Sequence, residues 1–121
     1  MTTQEVADQL TKLCSAGKFM EATKALYSPD IVSVEPFAPP GQSPESRGLD
    51  AVLAKGEWWN NNHDVRSSKV EGPLVAGPYF TVTFKLEVTY KPEKKDIHME
   101  EVAVYKVENG KIVHEQFFYS M

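Results

Sequence analysis

The sequence predicts a single α+β domain, with helices first and a run of antiparallel strands after them. Three observations predict it. Apolar residues recur at helical spacing through the N-terminal part; they alternate with polar residues from Phe80 to Tyr90; and 121 residues suit one domain, taken as 1–121. Helices followed by strands pack as two layers, the helices lying on one face of the sheet.

Thr2 and Glu5 stand at capping-box spacing, and Val6, Leu10, Leu13 and Cys14 then recur on one helical face. Gly17 closes that helix. A second, shorter one carries Phe19, Ala22, Thr23 and Leu26 on one side, and Ser28-Pro29-Asp30 breaks it. Ile31 to Glu35 reads as a short strand. From Pro36 to Arg47 there are four prolines and a glycine, which predicts an irregular rim or lid. Gly48 to Asn62 is a third helix, with Leu49, Val52, Leu53 and Trp59 recurring at its period, and Asn60-Asn61-Asn62 marks its end.

Strands fill the rest. Val65 to Val75 is weakly patterned, and Gly77-Pro78 turns the chain. Phe80, Val82, Phe84, Leu86, Val88 and Tyr90 alternate with Thr81, Thr83, Lys85, Glu87 and Thr89, so one face is buried and the other wet. His98 to Val107 and Lys111 to Tyr119 follow, joined by Glu108-Asn109-Gly110. A two-residue turn here pairs residues 107 and 112; a three-residue loop pairs 107 with 111 and reverses the faces of the last strand. The second is preferred. It turns Val113, Glu115, Phe117 and Tyr119 inward with Met99, Glu101, Ala103, Tyr105 and Val107, and leaves His98, Glu100, Lys106, His114 and Gln116 outside, where polar groups keep their water.

Composition excludes several functions. The net charge is −4 and no Lys/Arg run exceeds Lys94-Lys95, so the clustered cations that nucleic acid needs are missing. Apolar runs are too short to cross a membrane as helices, and Met1 to Gln9 lacks the basic-then-apolar order of a secretory signal. Cys14 is the lone cysteine, which suits a reducing, cytoplasmic compartment. His63, His98 and His114 stand at no metal-ligand spacing, so no metal is expected. No nucleophile elbow, phosphate-cradling loop or dinucleotide fingerprint is present.

Ala25-Leu26-Tyr27 before Ser-Pro-Asp, the strand Ile31-Val32-Ser33-Val34-Glu35-Pro36, Gly48 opening the third helix, and Asn109-Gly110-Lys111-Ile112 with Phe117-Phe118-Tyr119 follow one another over nearly the whole chain. In that order and spacing the chain resembles the SnoaL-like branch of the nuclear transport factor two-like superfamily, whose relatives include ketosteroid isomerases and polyketide cyclases. The resemblance implies a cone-shaped, cystatin-like roll: a strongly curved antiparallel sheet with three N-terminal helices on its concave face and a pocket opening at one end. It also implies a homodimer through the outer sheet face, where Val102, Val104, Ile112 and Phe118 would otherwise be exposed, and no metal or nucleotide cofactor. Glu35 matches the general-base carboxylate of ketosteroid isomerases and Tyr27 a supporting tyrosine. Their oxyanion pair is absent, since Ala103 and about Leu10 stand at its places.

In such a pocket Glu35, Glu101 and Glu115 project among Phe80, Val82, Phe84, Tyr105, Phe117 and Tyr119. Carboxylates there lose hydration and repel one another, which separates their pKa values and permits distinct acid and base roles. Glu101 and Glu115 have a second reading as solvated rim residues. Trp58 and Trp59 lie 100° apart on the helix, so one at most faces the pocket, and His63 shares the face of Trp59. Trp59 as ligand platform and His63 as proton donor stand against plain core and helix-end readings. Cys14 reads as a core hydrophobe.

Three functions compete: acid–base isomerisation, cyclisation or hydration of a small, partly apolar compound with Glu35 as base; binding of such a compound without chemistry; and a dimerisation module. The inward carboxylates argue against the third. With three acids and no Lys or Arg expected in the lining, and Arg47 and Arg66 the nearest cations, the expected ligand is a neutral or cationic ring compound.

Overall fold

In a computed structural model, which describes residues 1–120, the order of elements is helix, helix, strand, short strand, helix and four long strands. Helix α1 (Thr3–Ser15) begins at the expected capping box: the Glu5 amide donates to Thr2 Oγ1 at 3.1 Å and the Thr2 amide to Glu5 Oε1 at 2.9 Å. Its buried face is Val6, Ala7, Leu10 and Cys14. Gly17, at φ +75, takes the left-handed conformation that ends the helix. Helix α2 (Phe19–Leu26) buries Ala22 and Leu26.

Strand β1 (Tyr27–Val34) starts earlier than the sequence suggests. Ser28-Pro29-Asp30 lies inside it, where its pairing with the last strand slips between Tyr27 and Val32. Proline lacks the N–H a ladder needs, and that irregularity is where it is tolerated. Glu35 follows directly. The proline-rich loop closes on a three-residue strand, β2 (Glu45–Arg47), which pairs antiparallel with β1 where no regular element was expected. Helix α3 (Leu49–Asn62) then runs into β3 (His63–Ala76), β4 (Tyr79–Tyr90), β5 (Lys95–Glu108) and β6 (Lys111–Phe118).

These strands form one six-stranded sheet in the order β2-β1-β6-β5-β4-β3. It is mixed: β1 runs parallel to β6, whereas the other neighbours are antiparallel. No local turn joins β1 to β6, so nothing in the local sequence sets their relative direction. Helix α3 packs against both β1 and β3, near opposite ends of the sheet order, so the open sheet curls around it. Phe80, Val82, Phe84, Leu86 and Val88 of β4 are all buried, as their alternation predicts.

The β5–β6 hairpin corrects the preferred register. Asn109 and Gly110 both have positive φ, Glu108 pairs with Lys111, and Val107 with Ile112, which is the two-residue turn. Ile112 is therefore fully buried rather than outward. The ladder then slips by one residue, so that Lys106 pairs with His114 and Tyr105 with Glu115. This bulge at Val113 restores the expected faces for the rest of the strand, and Glu115 and Phe117 point to the concave side.

Candidate functional site

A cavity of about 210 Å³ lies between the helices and the concave face of the sheet. Leu10 and Cys14 of α1, Phe19 of α2 and Val52 and Trp59 of α3 form one wall; Phe84, Leu86, Met99 and Phe117 form the other. Into this apolar lining project Tyr27, Glu35, Lys55, Glu101, Tyr105, Glu115 and Tyr119.

Most of these polar groups form one chain of hydrogen bonds. Glu115, only 3% exposed, accepts from the Tyr27 hydroxyl on Oε1 and from the Ser33 hydroxyl on Oε2, the latter at 2.7 Å. Lys55 Nζ donates to Ser33 Oγ at 2.7 Å and to Glu35 Oε1 at 3.1 Å. The Tyr119 hydroxyl donates to Glu35 Oε2 at 2.9 Å. Each of these two carboxyl groups thus accepts from two donors. Burial raises the carboxyl pKa of Glu115, against the lowering effect of Tyr27, Ser33 and Lys55. Burial and the charge of Glu115 push the Tyr27 hydroxyl well up, so it stays a neutral donor.

Glu101 is different. It comes from β5 opposite Phe84, lines the cavity, and has no hydrogen-bond partner among the described residues. Desolvation, then the charges of Glu35 and Glu115, raise its pKa to about 7, with Lys55 pulling the other way. One carboxyl in this lining therefore changes protonation near neutrality, the property that general acid–base catalysis requires.

The structure brings together Tyr27, Glu35, Trp59, Phe84, Glu101, Tyr105, Glu115, Phe117 and Tyr119 of the expected site. It does not bring in three others. Trp58 is 57% exposed, because its neighbour Trp59 occupies the inward helix position. His63 lies outside the lining; its Nδ1 is 2.7 Å from the Trp59 carbonyl and its ring stacks on Trp59 at 4.3 Å, a helix-end contact. Phe80 is packed in the core, stacked on Tyr105 at 4.7 Å. The expectation that no Lys or Arg lines the cavity is also corrected, because Lys55 does.

Lys55 and Ser33 escaped the sequence reading, though both carried a signal. Val52, Lys55 and Trp59 stand at helical spacing on the face that enters the cavity. Ser33 precedes Glu35 by two residues, the spacing of one strand face. Cys14 lines the cavity as an inert thiol, its pKa pushed up to about 12 by burial and by Glu115.

Residues 1–119 match the family model of the SnoaL-like domain. A crystal structure from Mesorhizobium loti, described as a candidate SnoaL-like polyketide cyclase and also as a carbohydrate phosphatase, is 39% identical; the alignment covers 98% of this chain and 100% of that one, with a TM-score of 0.90. A nuclear transport factor two-like protein of unknown function from Burkholderia pseudomallei is 17% identical over 98% of this chain and 90% of that one, at TM-score 0.80. A candidate polyketide cyclase from Pseudomonas putida is 18% identical over 100% and 93%, at TM-score 0.74. The last two share the fold. No curated protein matches the chain.

Proposed function

Because the chain belongs to the SnoaL-like family, we propose that its cavity binds a small, partly apolar organic molecule and moves protons on it, as a cofactor-independent isomerase, cyclase or hydratase. The observation that carries this reading is the contrast among the three carboxylates. Glu35 and Glu115 are each held by two donors, whereas Glu101 faces the cavity without a partner and titrates near pH 7. Glu101 is the group we assign to the proton. Glu35, which the resemblance to ketosteroid isomerases points to, is engaged by Lys55 and Tyr119. The cavity is smaller than the roughly 300–1,000 Å³ of pockets for drug-sized ligands, which favours a compact substrate.

The test has two steps. Mass spectrometry of compounds that co-purify with the protein identifies the ligand class, and turnover is then compared between wild type and Glu101→Gln. Loss of two to four decades of rate, roughly, is expected for a general acid or base. Unchanged turnover in Glu101→Gln refutes the assignment.

The outer sheet face supports a homodimer in this reading. Val102 and Phe118 are paired across β5 and β6 and both are exposed, with Val104 and Tyr79 beside them. A contiguous apolar patch of this kind is commonly covered by a second copy. Ile112, expected in this patch from the sequence, belongs to the core instead. For the compartment, no helix among the described residues is long and apolar enough to cross a membrane, and the buried free thiol of Cys14 favours a reducing, cytoplasmic setting.

A further inference from the structure

We infer that Lys55 is the ligand-anchoring donor of the cavity, and that it selects a neutral carbonyl oxygen on an otherwise apolar ring compound. The inference rests on the reading of the cavity as a small-molecule site and deepens it. An ammonium group has three protons. Lys55 Nζ places two of them on Ser33 Oγ and Glu35 Oε1, which leaves one without a protein acceptor among the described residues. The side chain is 33% exposed and lines the cavity, and its Nζ lies 5.8 Å from the centre of the Phe117 ring, itself a wall. The remaining N–H is thus available in a lining where every other basic group is absent among the described residues.

Charge decides what this donor takes. Glu35 already neutralises Lys55 at 3.1 Å, and Glu115 stands one hydroxyl further along. A carboxylate or phosphate brought to Lys55 would meet both acids at close range, where like charges repel strongly in a low-dielectric site. A carbonyl oxygen accepts the hydrogen bond without adding charge. Its ring would lie against Phe84, Trp59 and Phe117, and Glu101 faces the same space, placed to exchange a proton with a group beside the carbonyl. Lys55 thereby offers a donor in a chain that lacks the oxyanion pair of ketosteroid isomerases, Ala103 being a buried core residue and Leu10 an apolar wall.

Three probes test the inference by calorimetry on the full chain: acetophenone, isopropylbenzene as its hydrocarbon counterpart, and benzoate. Wild type is expected to bind acetophenone, and Lys55→Met to bind it roughly tenfold or more weakly, as for loss of a hydrogen bond to a charged group, with isopropylbenzene unaffected or tighter. The carbonyl stretching band of bound acetophenone should move to lower frequency in wild type and return toward its apolar-solvent position in Lys55→Met. An equal loss for both neutral probes, an unshifted carbonyl band in wild type, or tighter binding of benzoate than of acetophenone would overturn the role of Lys55 while leaving the cavity a ligand site. The infrared result in wild type decides even if the variant fails to fold. Failure of wild type to bind any of the three overturns the cavity reading and this inference with it.

Discussion

Lys55 Nζ lies 2.7 Å from Ser33 Oγ, and through that fully buried hydroxyl α3 is tied to β1 of the six-stranded sheet. The Ser33 proton goes on to Glu115, so the serine accepts from a cation and donates to an anion. Such a chain has a fixed donor direction, and it holds α3, β1 and β6 in one arrangement around the cavity. Glu101, outside the chain, faces the cavity with no hydrogen-bond donor to hold it among the described residues.

The raised pKa of Glu101 predicts a pH dependence of stability. The folded pKa of Glu101, about 7, is above its ordinary value of 4.5. The folded state therefore binds more protons than the unfolded state between those values. Stability contributed by the neutral carboxyl is complete below pH 4.5 and is lost as the pH rises through 7, with a slope of up to about 1.4 kcal/mol per pH unit. Glu115, also raised, acts in the same direction. Urea midpoints measured across this window should fall with pH in wild type and fall less steeply in Glu101→Gln.

Glu35→Gln separates the two candidate acids. The substitution removes the counter-charge of Lys55 but keeps an acceptor for Tyr119, at a stability cost of about 1 kcal/mol for a partly exposed pair. Once a substrate is in hand, turnover in this variant should stay within about tenfold of wild type, against the larger loss in Glu101→Gln. The reverse pattern would return the base to Glu35.

The sequence carried the fold well because its signals were local. Thr2 and Glu5 announce α1, and the alternation from Phe80 to Val88 requires one buried face. The errors lie where non-local pairing decides. Ser28-Pro29-Asp30 reads as the break after the second helix, yet Pro29 sits inside β1 at a slip in the β1–β6 ladder, and that ladder is parallel. Asn109-Gly110 forms the turn its two residues favour, while the bulge at Val113 depends on what β5 and the core require. Ile112 inward and Glu115 inward cannot both follow from a plain period of two. Within the site, Glu35, Glu101 and Glu115 were visible as inward acids. Lys55 was overlooked because a charged residue on a helix usually marks the solvent side.

Tyr27→Phe tests the buried end of the chain. The substitution keeps the ring and deletes the donor to Glu115 Oε1, leaving a fully buried carboxylate with Ser33 alone. An unsatisfied buried acceptor costs about 1–3 kcal/mol, and chemical denaturation should register it in that range. Loss of the donor also raises the pKa of Glu115 further, so part of the deficit should be recovered at low pH, where the carboxyl is neutral. Equal losses across the whole pH range would mean that the hydroxyl acts through packing alone.

Assembly is tested on the outer face, away from the cavity. Val102 and Phe118 pair across neighbouring strands with both side chains exposed, and neither lines the cavity. Phe118→Glu therefore removes apolar area from the proposed dimer contact without opening a hole in the core. In a symmetric interface the same side chain acts twice, once from each copy, so one substitution puts two like charges near the axis. Light scattering at micromolar concentration should give a dimer mass for wild type and a monomer mass for Phe118→Glu. Acetophenone binding should persist in the monomer, because Phe118 lies on the opposite face of the sheet from the cavity. A wild type that is already monomeric would leave the patch without a second copy to cover it and would end the dimer proposal.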